Sequence, residues 1–181
     1  MKSGQPHADL DQIDRHILSL LQDNCRLPLA KIGDQVGLSA SSVMERVKKL
    51  EDGGIITGYR ALLNARLLGK DITAFIGVSI GHPAAIARFE REMEGVEDVL
   101  ECHHVTGGYT LLLKVRTDNT SALEKLISRL RSIEGVVRTE TTVALSTLIE
   151  RVQVAVAGSV APAPRRGRRH EERASLHLEG V

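Results

Sequence analysis

Tryptophan is absent from the 181 residues, and aromatics of all kinds make up only 2% of them. This disfavours binding of nucleic acid by stacking bases on aromatic platforms, and it leaves the cores to be built from aliphatic side chains. Cysteine is scarce as well: Cys25 and Cys102 have no CxxC spacing, which argues against a disulfide framework or a thiolate zinc site. Both are expected to be structural and buried, as free cysteines usually are. No apolar run approaches the roughly 20 residues of a membrane span, and residues 1–8 lack the apolar centre of a signal peptide. The expectation is a cytoplasmic protein with no membrane partner. An excess of charge is missing too, with 24 Lys+Arg against 23 Asp+Glu, so a nucleic-acid partner has to be met by a local patch. No HxH or HExxH spacing, serine-histidine-carboxylate set, phosphate loop or dinucleotide fingerprint occurs. No metal, cofactor or catalytic residue is therefore assigned.

What is present is a helix with two faces. In the stretch 37–54, Val43, Val47 and Leu50 recur at i, i+4 and i+7 and form one apolar stripe, while Ser41, Ser42, Glu45, Lys48 and Lys49 point elsewhere. Ser39 suits the N-cap, and Gly53-Gly54 the stop. Upstream, Asp11 with Asp14 three residues on caps a helix over about 11–23, whose Ile13, Ile17, Leu20 and Leu21 have helical spacing. Pro28 fits the first turn of a second helix, with Leu29, Ile32 and Val36 inward. Gly33 inside that helix costs about 1 kcal/mol against alanine unless close packing requires it. Gly37 ends the second helix just before Ser39 starts the next. Two helices joined by a three- or four-residue turn containing glycine form a helix-turn-helix, and a helix with small hydroxyls at its tip and cations on its front suits a major groove. The DNA-binding residues are then Ser39, Ser41, Ser42, Glu45, Arg46, Lys48 and Lys49, with Arg46 and Lys49 foremost for phosphate or guanine. Glu45 is awkward beside phosphates, and either accepts from a cytosine amino group or pairs with Lys49. Residues 55–63 are β-rich and give a short wing or a tether strand, so the domain is placed at 9–64 as a winged-helix-like unit.

Beyond residue 70 the hydrophobic period changes. A strand over 72–80, a helix over 84–93, a strand over 96–106, a tight Gly107-Gly108 hairpin, a strand over 109–116, a helix over 120–133 and a last strand with its extension over 136–154 follow in order. The β-α-β-β-α-β order is the ferredoxin-like arrangement, a four-stranded antiparallel sheet with two helices on one face. The fold class is α+β, with this second domain at 70–154. Its strands read as apolar on both faces, at Val99, Leu111, Leu113, Val115, Val143 and Leu145. A homodimer through the uncovered sheet face is expected. From 158 to 181 the composition turns to Ala-Pro repeats and the cluster Arg165-Arg166-Gly167-Arg168-Arg169-His170. This reads as a disordered basic tail, either adding sequence-independent attraction to phosphate or having no assigned role.

Over residues 9–152 the chain resembles the Lrp/AsnC (feast/famine) transcriptional regulators. The resemblance rests on Leu10-Asp11, Ile13-Asp14, Ile17-Leu18, Arg26, Val36-Gly37-Leu38-Ser39, Arg46-Val47-Lys48-Lys49-Leu50 and Gly54-Ile55-Ile56-Thr57-Gly58-Tyr59. It continues in Val105-Thr106-Gly107-Gly108-Tyr109 leading into Leu111-Leu112-Leu113-Lys114-Val115. It implies a sequence-specific regulator of transcription on double-stranded DNA, dimers that in many members assemble into octamers, bending or wrapping of DNA, and an amino-acid effector held between dimers. By match, effector binding falls to Gly107, Gly108, Tyr109 and Thr110, with Thr142, Val143 and Ala144 of the last strand. A glycine-rich turn offers backbone N–H groups to a carboxylate, and small side chains opposite leave room for a ligand. The chain departs from the family at Gly108 and Thr110, where many members place an acidic residue for the α-ammonium. Either carbonyls and hydroxyls hold that group, or the effector differs, or there is none. His103 is assigned to the ligand interface or to a plain structural role. His103 and His104, adjacent on a strand, point to opposite faces and cannot share a metal.

Two rival readings follow. The siroheme decarboxylases share this architecture, but they carry a His-Asn-Tyr stretch and a tryptophan-containing strand, against His103-His104-Val105 and no tryptophan here. A stand-alone sensing or oligomerisation module requires the basic N-terminal motif to be inert.

Overall fold

The computed structural model describes residues 9–156, which divide into two compact units. One comprises residues up to 60 together with the chain from 152 onward, and the other is residues 61–151.

The first unit is a three-helix cluster. Helix α1 (Gln12–Asp23) begins with a reciprocal cap: Asp11 Oδ1 accepts from the Asp14 amide at 2.7 Å, and Asp14 Oδ2 accepts from the Asp11 amide at 3.4 Å. Helix α2 (Leu29–Val36) starts with Pro28 at the N-cap, just outside the first turn expected for it, and stops at Gly37 with φ 73°. Helix α3 (Ala40–Asp52) is capped by the Ser39 hydroxyl, which accepts from the Ser42 amide at 3.2 Å. Ile17, Leu18, Ile32, Val43, Val47 and Leu50 form the core, so the stripe read from the sequence is the buried face of α3. Gly33 is required by packing: a Cβ there would lie 2.4 Å from the Leu38 carbonyl oxygen. The same turn is closed by the Gly37 and Leu38 amides, both donating to the Gly33 carbonyl.

No wing or tether strand forms over residues 55–64. The Ile55 and Ile56 amides both turn back to donate to the Leu50 carbonyl, at 2.9 and 3.1 Å. These N–H groups close the end of α3 and cannot join a ladder.

The second unit carries the sheet. Strands β1 (Ile72–Ile80), β2 (Val99–His104), β3 (Leu111–Thr117) and β4 (Val136–Val143) pair antiparallel in the order β2-β3-β1-β4. Helix α4 (Ile86–Glu94) joins β1 to β2, and α5 (Thr120–Ser132) joins β3 to β4. Ala74, Ile76 and Val78 register with Val115, Leu113 and Leu111, and these six pack with Phe89 and Met93 of α4 and Leu123, Leu126 and Leu130 of α5. The second strand begins at Val99, later than expected. Val96 to Val99 instead form successive turns, with the Val96 amide on the Met93 carbonyl and the Val99 amide on the Val96 carbonyl. Lys70 fastens the approach to β1, placing its ammonium 2.8 Å from both Asp98 and Asp118. The two carboxylates hold its pKa well above the ordinary lysine value.

The expectation of an apolar open face is corrected. Strand β3 alternates strictly, with Leu111, Leu113, Val115 and Thr117 buried under the helices and Leu112, Lys114 and Arg116 on the other side. The open face carries Lys114 and Arg116, both reaching Glu150, at 2.6 and 3.2 Å. Leu111, Leu113 and Val115 belong to the covered face, and of their apolar neighbours the open face keeps Leu112 and, on β1, the exposed Phe75. Leu145, 95% exposed, lies beyond the end of β4. The cysteines also depart from expectation, because both are exposed. Cys102 is sheltered enough that burial, reinforced by Glu90, raises its thiol pKa, which disfavours the reactive thiolate. Among the described residues no helix is long and apolar enough to cross a membrane. The leader at 1–8 and the tail at 158–181 lie outside the described residues.

Candidate nucleic-acid interface and ligand turn

Helix α3 buries Val43, Val47 and Leu50 and leaves Ser41, Met44, Glu45, Lys48 and Lys49 exposed. Ser39 is occupied by capping, and its hydroxyl also lies 2.9 Å from both the Ser41 and Ser42 hydroxyls. The tip of the helix is thus a small polar cluster that closes on itself and offers only its spare lone pairs and protons outward. Lys48 and Lys49 form no ion pair among the described residues, and Glu45 does not pair with Lys49.

Arg46 behaves differently from its neighbours. Its Nη1 lies 2.7 Å from Asp11 Oδ2 and 2.7 Å from Asp14 Oδ1. Hydrogen bonds to those two carboxylates raise its pKa, while the Asp14 amide and the Arg46 guanidinium hold the Asp11 carboxyl below its usual range. The arginine chosen from the sequence as a foremost DNA contact is held, partly buried, between the start of α1 and the middle of α3. The sequence reading missed Asp11 and Asp14 as its partners, because helical periodicity reports a face and not what a remote segment brings to it. Met44, exposed on the outer face, was also passed over, although an i, i+4 offset from Lys48 places it on the same side.

In the sheet unit the β2–β3 connection spans six residues, wider than the tight hairpin expected, and is hooked over the end of β1. The Thr110 amide donates to the Val78 carbonyl at 2.9 Å, the Ile80 amide to Thr110 Oγ1 at 3.0 Å, and the Ser79 hydroxyl to the Gly108 carbonyl at 3.4 Å. Gly107, with φ 113°, makes the turn. The Tyr109 ring lies flat on the open sheet face over Gly77, where a Cβ would come within 2.7 Å of it. Its phenol pKa is held above the ordinary value by the neighbouring Glu140 carboxylate first and by burial second. Arg138 Nη2 lies 2.6 Å from the same carboxylate. Glu140 therefore puts an acidic group beside the glycine turn, although the turn itself has none. It sits about 30 residues downstream in another strand, where no local pattern points to it.

Thr142, Val143 and Ala144 are not brought to this turn. Val143 and Thr142 register with Ala74 and Phe75, and the Ala144 amide donates to Thr73. Thr110, by contrast, is fixed at Val78 and Ile80. Four strand residues at about 3.3 Å each put the two groups roughly 13 Å apart along β1. His103, on the open face opposite Leu112, pairs with Glu101 at 3.0 Å, and His104 pairs with Glu90 of α4 at 2.9 Å. The two rings point to opposite faces, and among the described residues no cluster of His, Cys, Asp or Glu is suited to a metal.

A helix-turn-helix with a cationic outer face, joined to an α+β unit with a glycine-rich turn over an open sheet, defines a DNA-binding regulator with a ligand-binding domain. Residues 10–51 match the AsnC-type helix-turn-helix domain, and residues 73–154 match the Lrp/AsnC ligand binding domain. The leucine-responsive regulatory protein of Escherichia coli is 38% identical over 144 residues, covering 78% of this chain and 88% of its own. Escherichia coli AsnC superposes with a TM-score of 0.75 at 32% identity, covering 80% of this chain and 97% of its own. A Neisseria meningitidis transcriptional regulator, solved as an L-methionine complex, gives 0.78 at 31% identity, covering 82% and 97%. The chain belongs to the Lrp/AsnC family of transcriptional regulators.

Proposed function

We propose that this Lrp/AsnC regulator contacts its operator with Lys48, Lys49, Ser41 and Met44 of α3, while Arg46 holds that helix at a fixed angle to α1. The observation behind this division is the pairing of Arg46 with Asp11 and Asp14, beside two lysines that remain exposed. A cation already neutralised by two carboxylates releases little counterion on meeting phosphate, whereas each free lysine releases about one. Ser39 and Ser42 keep the helix start in shape, and Glu45 tempers phosphate contact at the front. Lys48→Gln and Lys49→Gln should each weaken binding to all duplexes and lower the salt slope by about 1. Unchanged affinity and slope in the double variant would overturn the assignment.

The effector is an α-amino acid bound at the Gly107–Thr110 turn, with backbone N–H groups for its carboxylate and Glu140 for its ammonium. A carboxylate has about four lone-pair positions, so Glu140 can keep Tyr109 and Arg138 and still accept. L-Methionine is the first probe, since the meningococcal relative and a Mycobacterium tuberculosis feast or famine regulatory protein, 33% identical with a TM-score of 0.75, were both solved with it. Thr142, Val143 and Ala144 join such a pocket only from a second protomer, and this favours a site completed by oligomerisation. Thermal unfolding with L-methionine and the other common amino acids should give a stabilising shift with one of them, lost in Glu140→Gln. A flat response across the set would remove the effector reading.

A further inference from the structure

The open face of the sheet has a gap in it. Along β1 the covered residues Ala74, Ile76 and Val78 alternate with Phe75, Gly77 and Ser79 on the open side, and at Gly77 that side carries no side chain. The neighbours of Gly77 form one row across the sheet. Gly77 registers with Leu112 of β3 and with Glu140 of β4, and Leu112 registers with His103 of β2. Gly77 is nonetheless buried, while Leu112 is half-buried and His103 and Glu140 are exposed. The Tyr109 ring is what covers it. A Cβ at position 77 would lie 2.7, 2.7 and 2.8 Å from the Cδ1, Cγ and Cδ2 atoms of that ring. A point nearly equidistant from three atoms of a six-membered ring lies on the ring's normal, close to its centre. The ring therefore rests face-down in the gap, and any side chain at 77 displaces it.

One face of the ring is spent on the sheet, and the other is turned outward, which leaves Tyr109 half-buried. Its backbone is fixed at the next residue, where the Thr110 amide donates to the Val78 carbonyl. Among the described residues the Gly107, Gly108 and Tyr109 amides donate to no partner. A carboxylate at Glu140, unused backbone donors and a flat aromatic face thus meet at one end of the sheet.

We propose that Gly77 is a positioning residue for ligand selectivity: it lets the Tyr109 ring lie as a flat floor across which the effector's side chain extends toward Leu112, and this floor selects a linear apolar side chain, a thioether above all. The inference rests on the effector reading given above, with the ammonium on Glu140 and the carboxylate on the amides of the turn. Glu140 and Gly77 stand on neighbouring strands roughly 4.8 Å apart, so an ammonium at Glu140 brings the Cα of the amino acid to the edge of the ring. A β-branched side chain is wide and stiff at its first carbon, and it cannot flatten onto the floor. Glycine and alanine stop short of it. A long unbranched side chain crosses the ring and ends against Leu112, and a thioether sulfur adds a favourable contact with the aromatic ring.

The probes are L-methionine and L-norleucine, which differ only by that sulfur, with L-valine as the branched control, each titrated into the full chain by calorimetry. The unaltered chain should bind methionine roughly 2- to 10-fold tighter than norleucine, and valine least. Tyr109→Leu should bind methionine and norleucine equally, and Tyr109→Phe, which restores a ring, should restore the preference. Gly77→Ala should lift the ring, so that the methionine preference falls and the Tyr109 phenol, held up beside Glu140 in the unaltered chain, titrates closer to its ordinary value. Adding Tyr109→Leu to Gly77→Ala should recover the thermal midpoint that Gly77→Ala loses, because the clash is gone. A double variant no more stable than Gly77→Ala would overturn the seating of the ring on Gly77. Valine or norleucine binding as tightly as methionine, or a methionine preference that persists in Tyr109→Leu, overturns the selectivity and leaves the effector reading standing. Absence of binding by every common amino acid in the unaltered chain strikes the effector reading itself, and this inference with it.

Discussion

Arg46 illustrates what a single side chain does once its partners arrive. On a helical wheel it belongs with Lys48 and Lys49, and in the folded unit it belongs with Asp11 and Asp14. Arg46→Gln should lower the thermal midpoint and weaken operator binding while leaving the salt slope close to that of the unaltered chain, the reverse of Lys49→Gln. A slope reduced by about 1 would return Arg46 to the set of phosphate-binding residues. The pH dependence follows from the depressed Asp11 carboxyl. A depressed folded-state pKa gives stability that is present above the ordinary value of 3.8 and lost as pH falls through the lower folded value. The thermal midpoint of the unaltered chain should therefore fall more steeply below about pH 4 than that of Asp11→Asn.

The two tyrosines supply an independent check at the same scale, because no tryptophan absorbs beside them. Burial and then donation to Glu51 push the Tyr59 phenol up to about 12, and Tyr109 is raised by Glu140. Raised pKa values favour the neutral phenols, so their contribution holds below about pH 10 and is lost as pH climbs through the folded values. Phenolate absorbance should appear later in the folded protein than in denaturant. Coincident titrations would contradict the Tyr59–Glu51 hydrogen bond and the influence of Glu140 on Tyr109.

Elements were far more legible than side-chain partners. The caps at Asp11 and Ser39, the Gly37 stop and the inward residues of the first three helices lie where periodicity put them, because a helix is decided by neighbours within about four residues. The elements misread were those whose hydrogen-bond partners are not local. Residues 55–63 looked like a short wing or a tether strand, yet the Ile55 and Ile56 amides are taken by the Leu50 carbonyl. The β-rich open face looked apolar because the sequence does not say which of two adjacent residues turns toward the helices. Gly33 is the sharpest test at this scale. The atom its Cβ would meet at 2.4 Å is a backbone oxygen of the turn, which cannot step aside as a flexible side chain can. Gly33→Ala should cost about 1–3 kcal/mol or more, despite alanine's better helix propensity, with denaturant unfolding as the measurement. A stabilised variant would show that the turn can be rebuilt.

For the whole molecule, the distribution of charge and of exposed apolar side chains matters more than either total. The open sheet face mixes Lys114, Arg116, Glu101 and Glu150 with the exposed Phe75, and a second exposed apolar group lies at the sheet edge. Val137 and Val143 on the edge strand β4, with Leu145, Leu148 and Ile149 just beyond it, are all exposed. Self-association through this edge would cover them, and it would supply the second protomer that the proposed effector pocket requires. Light scattering at micromolar concentration should give a dimer or a larger assembly, and Leu145→Lys with Leu148→Lys should shift it toward the monomer. A monomer in the unaltered chain would exclude this association.

The sequence alone determined the helix-turn-helix, the β-α-β-β-α-β order, the family and the candidate turn, since each is written in local spacing or in a continuous motif. Only the tertiary structure decided that Arg46 is paired with Asp11 and Asp14, that Glu140 stands beside Tyr109, that Thr142 to Ala144 lie at the far end of β1, and that residues 152–156 belong to the helix-turn-helix unit. The physical reason is the same each time. Charge pairing and hydrogen bonding act over a few ångströms in space, and the partners concerned stand about 30 to 130 residues apart along the chain.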